Sequence, residues 1–410
     1  MVNARRNAAL RLPFPTTDAR SGTELALSND RPITMIDLFC GTGGFAEGFL
    51  RSGLPFDLKY AVDLDTNSTS TAASNHPTTT VQTGDIRQIT TSDVKERIGA
   101  EHVDLIIGGP PCQGYSSLRP SRGTGKSDER NDLYTHFARF VRDFRPKMVV
   151  LENVVGLLTH QGGATLDAIL QEFESLDYRV DWRILNAAAY GVPQKRERFI
   201  MLAARDNARF MFPEPTHRFG GKVIGYKDPS RILRAHADAP PALTVMDAIS
   251  DLPPIQRGET ATAYTMDALN PYQAERRRGS ASLSLHQAAN HNDKMMRVIE
   301  LAGPSIRSLP PELVSSGFSS SYSRLEADEP ATTITVKFQS PSSSKCIHPL
   351  QNRTLTPREA ARIQSFDDTY VFKGPPTDIA RQIGNAVPPL LGKALAHSVA
   401  RAIVDAGGRS

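Results

Sequence analysis

Residues 32–50 read "PITMIDLFCGTGGFAEGFL". The run "ITMIDLF" is short and apolar, the pattern of a strand buried on both faces. "GFAEGFLRSG" then reads as a helix, ended by Gly53. Between them Gly41, Gly43 and Gly44 allow a tight turn and a close backbone approach to a ligand at the start of a helix. The spacing is GxGG, not the full dinucleotide fingerprint, so a purely structural turn stays open. The same alternation continues outward. "LKYAVDLD" reads as a second strand and "STSTAASNH" as a helix. "VDLIIGG" is a further strand, "DLYTHFARFVRDF" a helix with apolar residues at helical spacing, and "KMVVLEN" a strand. Short apolar runs alternating with helices predict an open, largely parallel α/β sheet.

The chain has 410 residues, 39% hydrophobic and 22% charged, which fits two domains or one large core. No apolar run approaches the roughly 18–20 residues needed to span a bilayer, and no signal sequence opens the chain. The cysteines are Cys40, Cys112 and Cys346, without a CxxC pair. That argues against a disulfide scaffold and against a structural zinc site; no metal is expected, and a reducing cytoplasm is. A net charge of +4 permits nucleic-acid binding without requiring it. "ERRRG" at 275–279 is either a solvated patch or a phosphate contact. Residues 1–31 read as a mobile arm. Their Arg and Ala content resembles an organellar transit peptide, although Asp18 and Glu24 speak against one. Residues 32–203 carry the strand–helix alternation. Residues 204–350 are rich in Pro, Ser and short segments and form a smaller, irregular second domain. Residues 351–410 hold "TPREAARIQSF", a helix with Thr356 as N-cap, Pro357 first and Glu359 at capping-box spacing. A long amphipathic helix closes the chain.

In open α/β sheets ligands bind at the carboxyl ends of strands. Asp63 ends the second strand, 63 − 43 = 20 residues beyond Gly43, where an acid can accept hydrogen bonds from ribose hydroxyls. Leu64 can pack on an adenine face, and Asp85 can bind an adenine amino group. Each alone is also an ordinary turn former. Together they describe an adenosine-containing cofactor, with no Walker lysine motif for a triphosphate. Cys112 lies in "DLIIGGPPCQGYSS" (104–117), just past a buried strand and stiffened by two prolines. A lone cysteine of this kind is often a buried structural thiol. Its surroundings argue for more. Glu152 emerges from "MVVL", where a carboxylate is costly unless paired or used. "QKRERFIML" sets Arg196 and Arg198 two apart, on one side of a strand. A thiol, a carboxyl group and two guanidinium groups suit one planar polar substrate.

These segments resemble a family, the C5-type DNA cytosine methyltransferases, which depend on S-adenosylmethionine. "DLFCGTGGFAEGF", "GGPPCQGYSS", "ENVVGLL", "QKRERF", "LTPREAARIQSF" and "QIGNAVPP" match in the family's order. The resemblance implies a mostly parallel, Rossmann-like methyltransferase sheet, with residues 204–350 as the target-recognition domain. It implies Cys112 as the nucleophile at cytosine carbon 6. It implies that Glu152 holds the base's amino group and ring nitrogen 3, that Arg198 contacts its carbonyl oxygen, and that Arg196 supports the cysteine loop. The cofactor pattern falls on Phe39, Gly41, Gly43, Asp63, Leu64, Asp85, Pro110, Asn385 and Val387. The last two require the C-terminal segment to return to the first domain. The target base must be flipped out of double-stranded DNA, and "SSLRPSRGTGKSDERND" is either the segment that closes over DNA or a plain surface loop. A monomer in a prokaryotic cytoplasm, associated with the nucleoid, is expected. It would act as a solitary methylase or beside a cognate restriction endonuclease. Tyr115 replaces a frequent Phe, and "QSFDDTYVF" lacks a proline common in the family. The alternatives are a transfer-RNA cytosine methyltransferase, a catalytically silent DNA-binding regulator, and a nicotinamide-dependent oxidoreductase. The Gly-Tyr-Ser after Pro-Pro-Cys-Gln favours DNA. The last alternative leaves the Cys, Glu and Arg set unexplained.

Overall fold

A computed structural model describes residues 31–111, 133–206, 208–220, 226, 228–313 and 320–407. The strands are β1 (Ile33–Leu38), β2 (Phe56–Asp63), β3 (Thr80–Thr83), β4 (Leu105–Gly108), β5 (Met148–Asn153), β6 (Arg179–Asn186), β7 (Gln194–Lys195), β8 (Glu197–Ala204) and β9 (Ala331–Thr332). The helices are α1 (Gly44–Leu50), α2 (Thr66–Asn75), α3 (Thr91–Ile98), α4 (Leu133–Phe144), α5 (Ala164–Ser175), α6 (Val245–Ile249), α7 (Pro271–Arg277), α8 (Asp293–Leu301), α9 (Pro357–Ile363), α10 (Pro376–Asn385) and α11 (Pro389–Gly407). Seven strands form one sheet in the order β3-β2-β1-β4-β5-β8-β6. The first five are parallel; β8 runs antiparallel to both of its neighbours. Strand order reverses between β1 and β4. A ligand crevice is expected there, at the carboxyl ends.

Both faces of the sheet are covered, so its central strands β1, β4 and β5 are apolar at most positions. Successive side chains point to opposite faces. In β5, Met148 and Val150 join one core, and Val149 and Leu151 join the other. The first core takes Phe45 and Phe49 from α1 and Leu391, Leu395 and Val399 from α11. The second takes Phe137, Phe140 and Phe144 from α4 and Ile169 and Phe173 from α5. Truncating any one of these phenylalanines to Ala would cost about 3–5 kcal/mol.

A third core gathers residues from 245 to 386, among them Leu252, Leu283, Phe338, Leu355, Phe366 and Ile383. Here the chain is built of short helices, and β9 pairs in parallel with β7 as a separate two-stranded sheet. Helix α9 starts as its sequence demands. The Thr356 side chain accepts from Glu359 N–H, and the Glu359 carboxylate accepts from Thr356 N–H. Helix α10 docks on α2: Thr71 Oγ1 donates to Gln382 Oε1 at 2.7 Å, and Arg381 pairs with Asp65 at 2.6 Å. Among the described residues no helix is long and apolar enough to cross a membrane.

Candidate active site

The turn after β1 is strained. Phe39, Gly41 and Gly43 have φ of 59°, 52° and 85°, in the left-handed region that disfavours the Phe side chain. Asp63 at the end of β2 holds this turn. Its Oδ2 accepts from Gly41 N–H and its Oδ1 from Asp65 N–H, both at 2.9 Å. Burial raises its carboxyl above the usual range, and those two N–H groups pull it back. Leu64 beside it is 69% exposed, an apolar face open at the crevice. A Cβ built on Gly41 meets no atom within 4 Å, so the turn borders open space.

Asp37, inside "MIDLF", is a polar residue in an apolar strand, a signal that periodicity alone does not pick out. It is buried, and its Oδ2 has no hydrogen-bond partner among the described residues. Burial, and then the neighbouring Asp63, push its carboxyl well above the usual range. Asp85 is already engaged. Arg87 grips both of its oxygens, with Nε at 3.0 Å from each and Nη2 at 2.6 Å from Oδ2. This pairing lowers the Asp85 carboxyl. An adenine amino group would have to share it with Arg87.

Across the switch point, β4 runs into Gly108, Gly109 and Pro110. Asn153 Nδ2 donates to the Pro110 carbonyl at 3.1 Å. A Cβ on Gly109 would come within 2.9 Å of Glu152 Oε2, so the backbone leading to Cys112 passes against the Glu152 carboxylate. Glu152 Oε1 in turn accepts from Arg198 Nε at 2.7 Å, with each side chain 12% exposed. β5 pairs with β8 and sets Glu152 opposite Ile200, so Arg198, two residues before Ile200, is its diagonal neighbour on the same face. Arg198 also donates through Nη1 to the Glu197 carbonyl. Cys112 and the segment 116–132 lie outside the described residues.

Arg196 does not share a strand with Arg198; it falls between β7 and β8. It is buried, and donates through Nη1 to Ile334 O at 3.3 Å and through Nη2 to Gly384 O at 3.1 Å and Asn385 O at 3.4 Å. Burial pushes its guanidinium well below the usual arginine range; Arg198 adds to this and Glu152 opposes it. A cation there complements the carbonyls at the end of α10. Gln194 and Gln364 reinforce the seam. Gln194 Nε2 donates to Gln364 Oε1, and Gln364 Nε2 donates to Ile383 O. Asn385 is exposed, and the half-buried Val387 packs against the first core.

The model of a family described as C-5 cytosine-specific DNA methylase matches residues 33–401. Type II methyltransferase M.AgeI of Thalassovita gelatinovora is 35% identical, covering 90% of this chain and 99% of that protein. Type II methyltransferase M1.HphI of Haemophilus parahaemolyticus is 34% identical, covering 90% and 86%. Among solved structures, an Escherichia coli protein titled a putative DNA modification methyltransferase encoded within a prophage superposes with a TM-score of 0.68 at 24% identity. That match covers 89% of this chain and 98% of the other. A DNMT2 mutant from Spodoptera frugiperda gives 0.57 at 15% identity, covering 89% and 99%. These likenesses show a Rossmann-like methyltransferase fold.

Proposed function

The chain belongs to the C-5 cytosine-specific DNA methylase family, and from that premise we propose how its residues divide the work of methylating carbon 5 of cytosine in DNA. Relatives named as type II methyltransferases favour a DNA substrate over transfer RNA. S-adenosylmethionine supplies a methyl group carried on a positively charged sulfur. The crevice between β1 and β4 fits such a molecule. Leu64 offers an apolar face and Asp63 an acceptor for hydroxyl groups. Phe39, Gly41, Gly43, Pro110, Asn385 and Val387 would complete its walls, with Asp85 shared between Arg87 and the adenine.

The Cys112 thiolate adds to carbon 6 of a flipped cytosine. Glu152 holds the amino group and ring nitrogen 3 and delivers a proton to that nitrogen. Carbon 5, otherwise a poor nucleophile, gains enamine character and takes the methyl group. Loss of the carbon 5 proton to a base, return of the nitrogen 3 proton to Glu152 and departure of the thiolate then restore the ring. Arg198 orients Glu152 and reaches the base's carbonyl oxygen. Arg196 fixes the end of α10 and the cysteine loop. Residues 204–350 read the target through base edges. The type II relatives support a role beside an endonuclease cutting the same site; a solitary methylase is the other arrangement.

The observation that carries this reading is the Glu152–Arg198 pair at 2.7 Å, against the backbone that leads into Cys112. Duplex DNA carrying 5-fluorocytosine at every cytosine tests it without knowledge of the target. With no proton to lose at carbon 5, the protein should form a denaturation-resistant adduct. Cys112→Ser should form none, and should transfer no methyl group while still binding S-adenosylhomocysteine. An adduct or substantial turnover in that variant would overturn the assignment.

A further inference from the structure

The glycine turn after β1 is also gripped by a residue far along the chain. Tyr370 Oη donates to the Thr42 carbonyl at 2.5 Å, across 328 positions of sequence. Tyr370 is buried, and burial holds its hydroxyl protonated as a donor. Its ring is wedged between Phe366 and Phe372, with centroid separations of 4.7 and 5.3 Å. The backbone before it is pinned as well, because Arg358 Nη1 donates to Asp367 O at 3.0 Å. His76, at the end of α2, stands edge-on to Tyr370 with ring centres 6.4 Å apart. A Cβ on Gly43 would come within 2.8 Å of His76 Nε2, so the imidazole bounds the turn directly.

A turn with three left-handed residues in five persists only where its surroundings over-determine it. Asp63 fixes the N–H of Gly41, Tyr370 fixes the carbonyl of Thr42, and His76 blocks movement at Gly43. We propose that Tyr370 is a positioning residue for the methyl donor: its hydroxyl, with the His76 ring beside it, sets the Phe39–Gly43 turn in the geometry that receives the cofactor. The inference rests on reading that turn as the cofactor's. It gives a segment after α9 a part in cofactor binding as well as in packing.

Tyr370→Phe keeps the ring and removes only the donor. Titration calorimetry with S-adenosylhomocysteine should show its dissociation constant rise roughly 5- to 10-fold, the scale of one net hydrogen bond. The KM for S-adenosylmethionine should rise with it. At saturating cofactor, kcat and the KM for DNA should stay within about twofold of the parent, because only uniform cofactor binding is lost. A purely structural Tyr370 would lower the melting midpoint of the ligand-free protein and leave cofactor affinity unchanged. Gly43→Ala, which forces a methyl group against His76, should weaken cofactor binding in the same direction and serves if Tyr370→Phe folds poorly. Gly41→Leu separates the two levels. Its side chain enters open space in the protein and should block the cofactor. If Gly41→Leu binds S-adenosylhomocysteine normally, the cofactor reading itself falls. If it loses binding while Tyr370→Phe and Gly43→Ala keep it, the role of Tyr370 alone is overturned.

Discussion

Glu152 and Arg198 act as one unit: the guanidinium neutralises and orients a carboxylate that little water reaches. Glu152→Gln preserves the shape of the side chain but has no acidic proton to deliver. Its kcat should fall by roughly 10²- to 10⁴-fold, the usual contribution of a positioned acid or base. Affinity for S-adenosylhomocysteine should not change; a loss there would move Glu152 out of the base pocket. Glu152 was legible because a carboxylate at the end of "MVVL" must be paired or used. Arg196 was placed less well. Side-chain alternation holds only within one strand, and the break between β7 and β8 turns Arg196 towards Ile334, Gly384 and Asn385. The Asp85–Arg87 pair was equally hidden, since it depends on local turn geometry and not on any periodicity.

At the level of elements, β1, β2, β4 and β5 could be read from short runs rich in apolar residues, and α1, α2 and α4 from the segments between them; β3, with one apolar residue in "TVQT", and α3 and α5 were not. The capping box of α9 could be read from three letters. The burial of Arg358, Glu359 and Arg362 on that helix could not. Each is under 2% exposed: Glu359 pairs with Arg353, Arg362 with Asp368 and Asp251, and Arg358 donates to the Ser284 carbonyl. The crossing of α1 and α11 was invisible for a similar reason. A Cβ on Gly48 would lie 2.2 Å from the Pro389 carbonyl oxygen, a backbone atom that cannot swing aside. Gly48→Ala should therefore destabilise the protein by about 1–3 kcal/mol despite the better helix propensity of alanine. Denaturant titration measures this; a more stable variant would mean that the two helices are not so closely packed.

For the whole molecule, buried titratable groups set the response to acid. Burial lowers His76 and His348 to about 4. The Nδ1 of His348 accepts from Leu350 and Gln351 N–H, so protonation there would break both bonds. Glu359, beside Arg353, is held at about 2. All three folded-state values lie below those of the unfolded chain. Between the two values the unfolded state binds more protons, so stability is present at neutral pH and lost on acidification. The histidines act as pH falls from about 6.5 to about 4, and Glu359 from about 4.5 towards about 2. Each contributes on the order of 3 kcal/mol. The melting midpoint should fall steadily from pH 6.5 to 4; a level profile over that range would contradict the burial of neutral imidazoles.

The crevice joins Phe39 and Gly41 to Tyr370 and the segment after α10, and the order of synthesis gives this a consequence. A ribosome that has released the first 330 residues has already delivered Glu152 and Arg198. It has not yet delivered Tyr370, which holds the Thr42 carbonyl, or Gly384, whose carbonyl receives Arg196. The chemistry is encoded early and completed late. A chain truncated before Tyr370 would carry the Glu152–Arg198 pair without the hydroxyl that holds the turn after β1 or the carbonyl that receives Arg196.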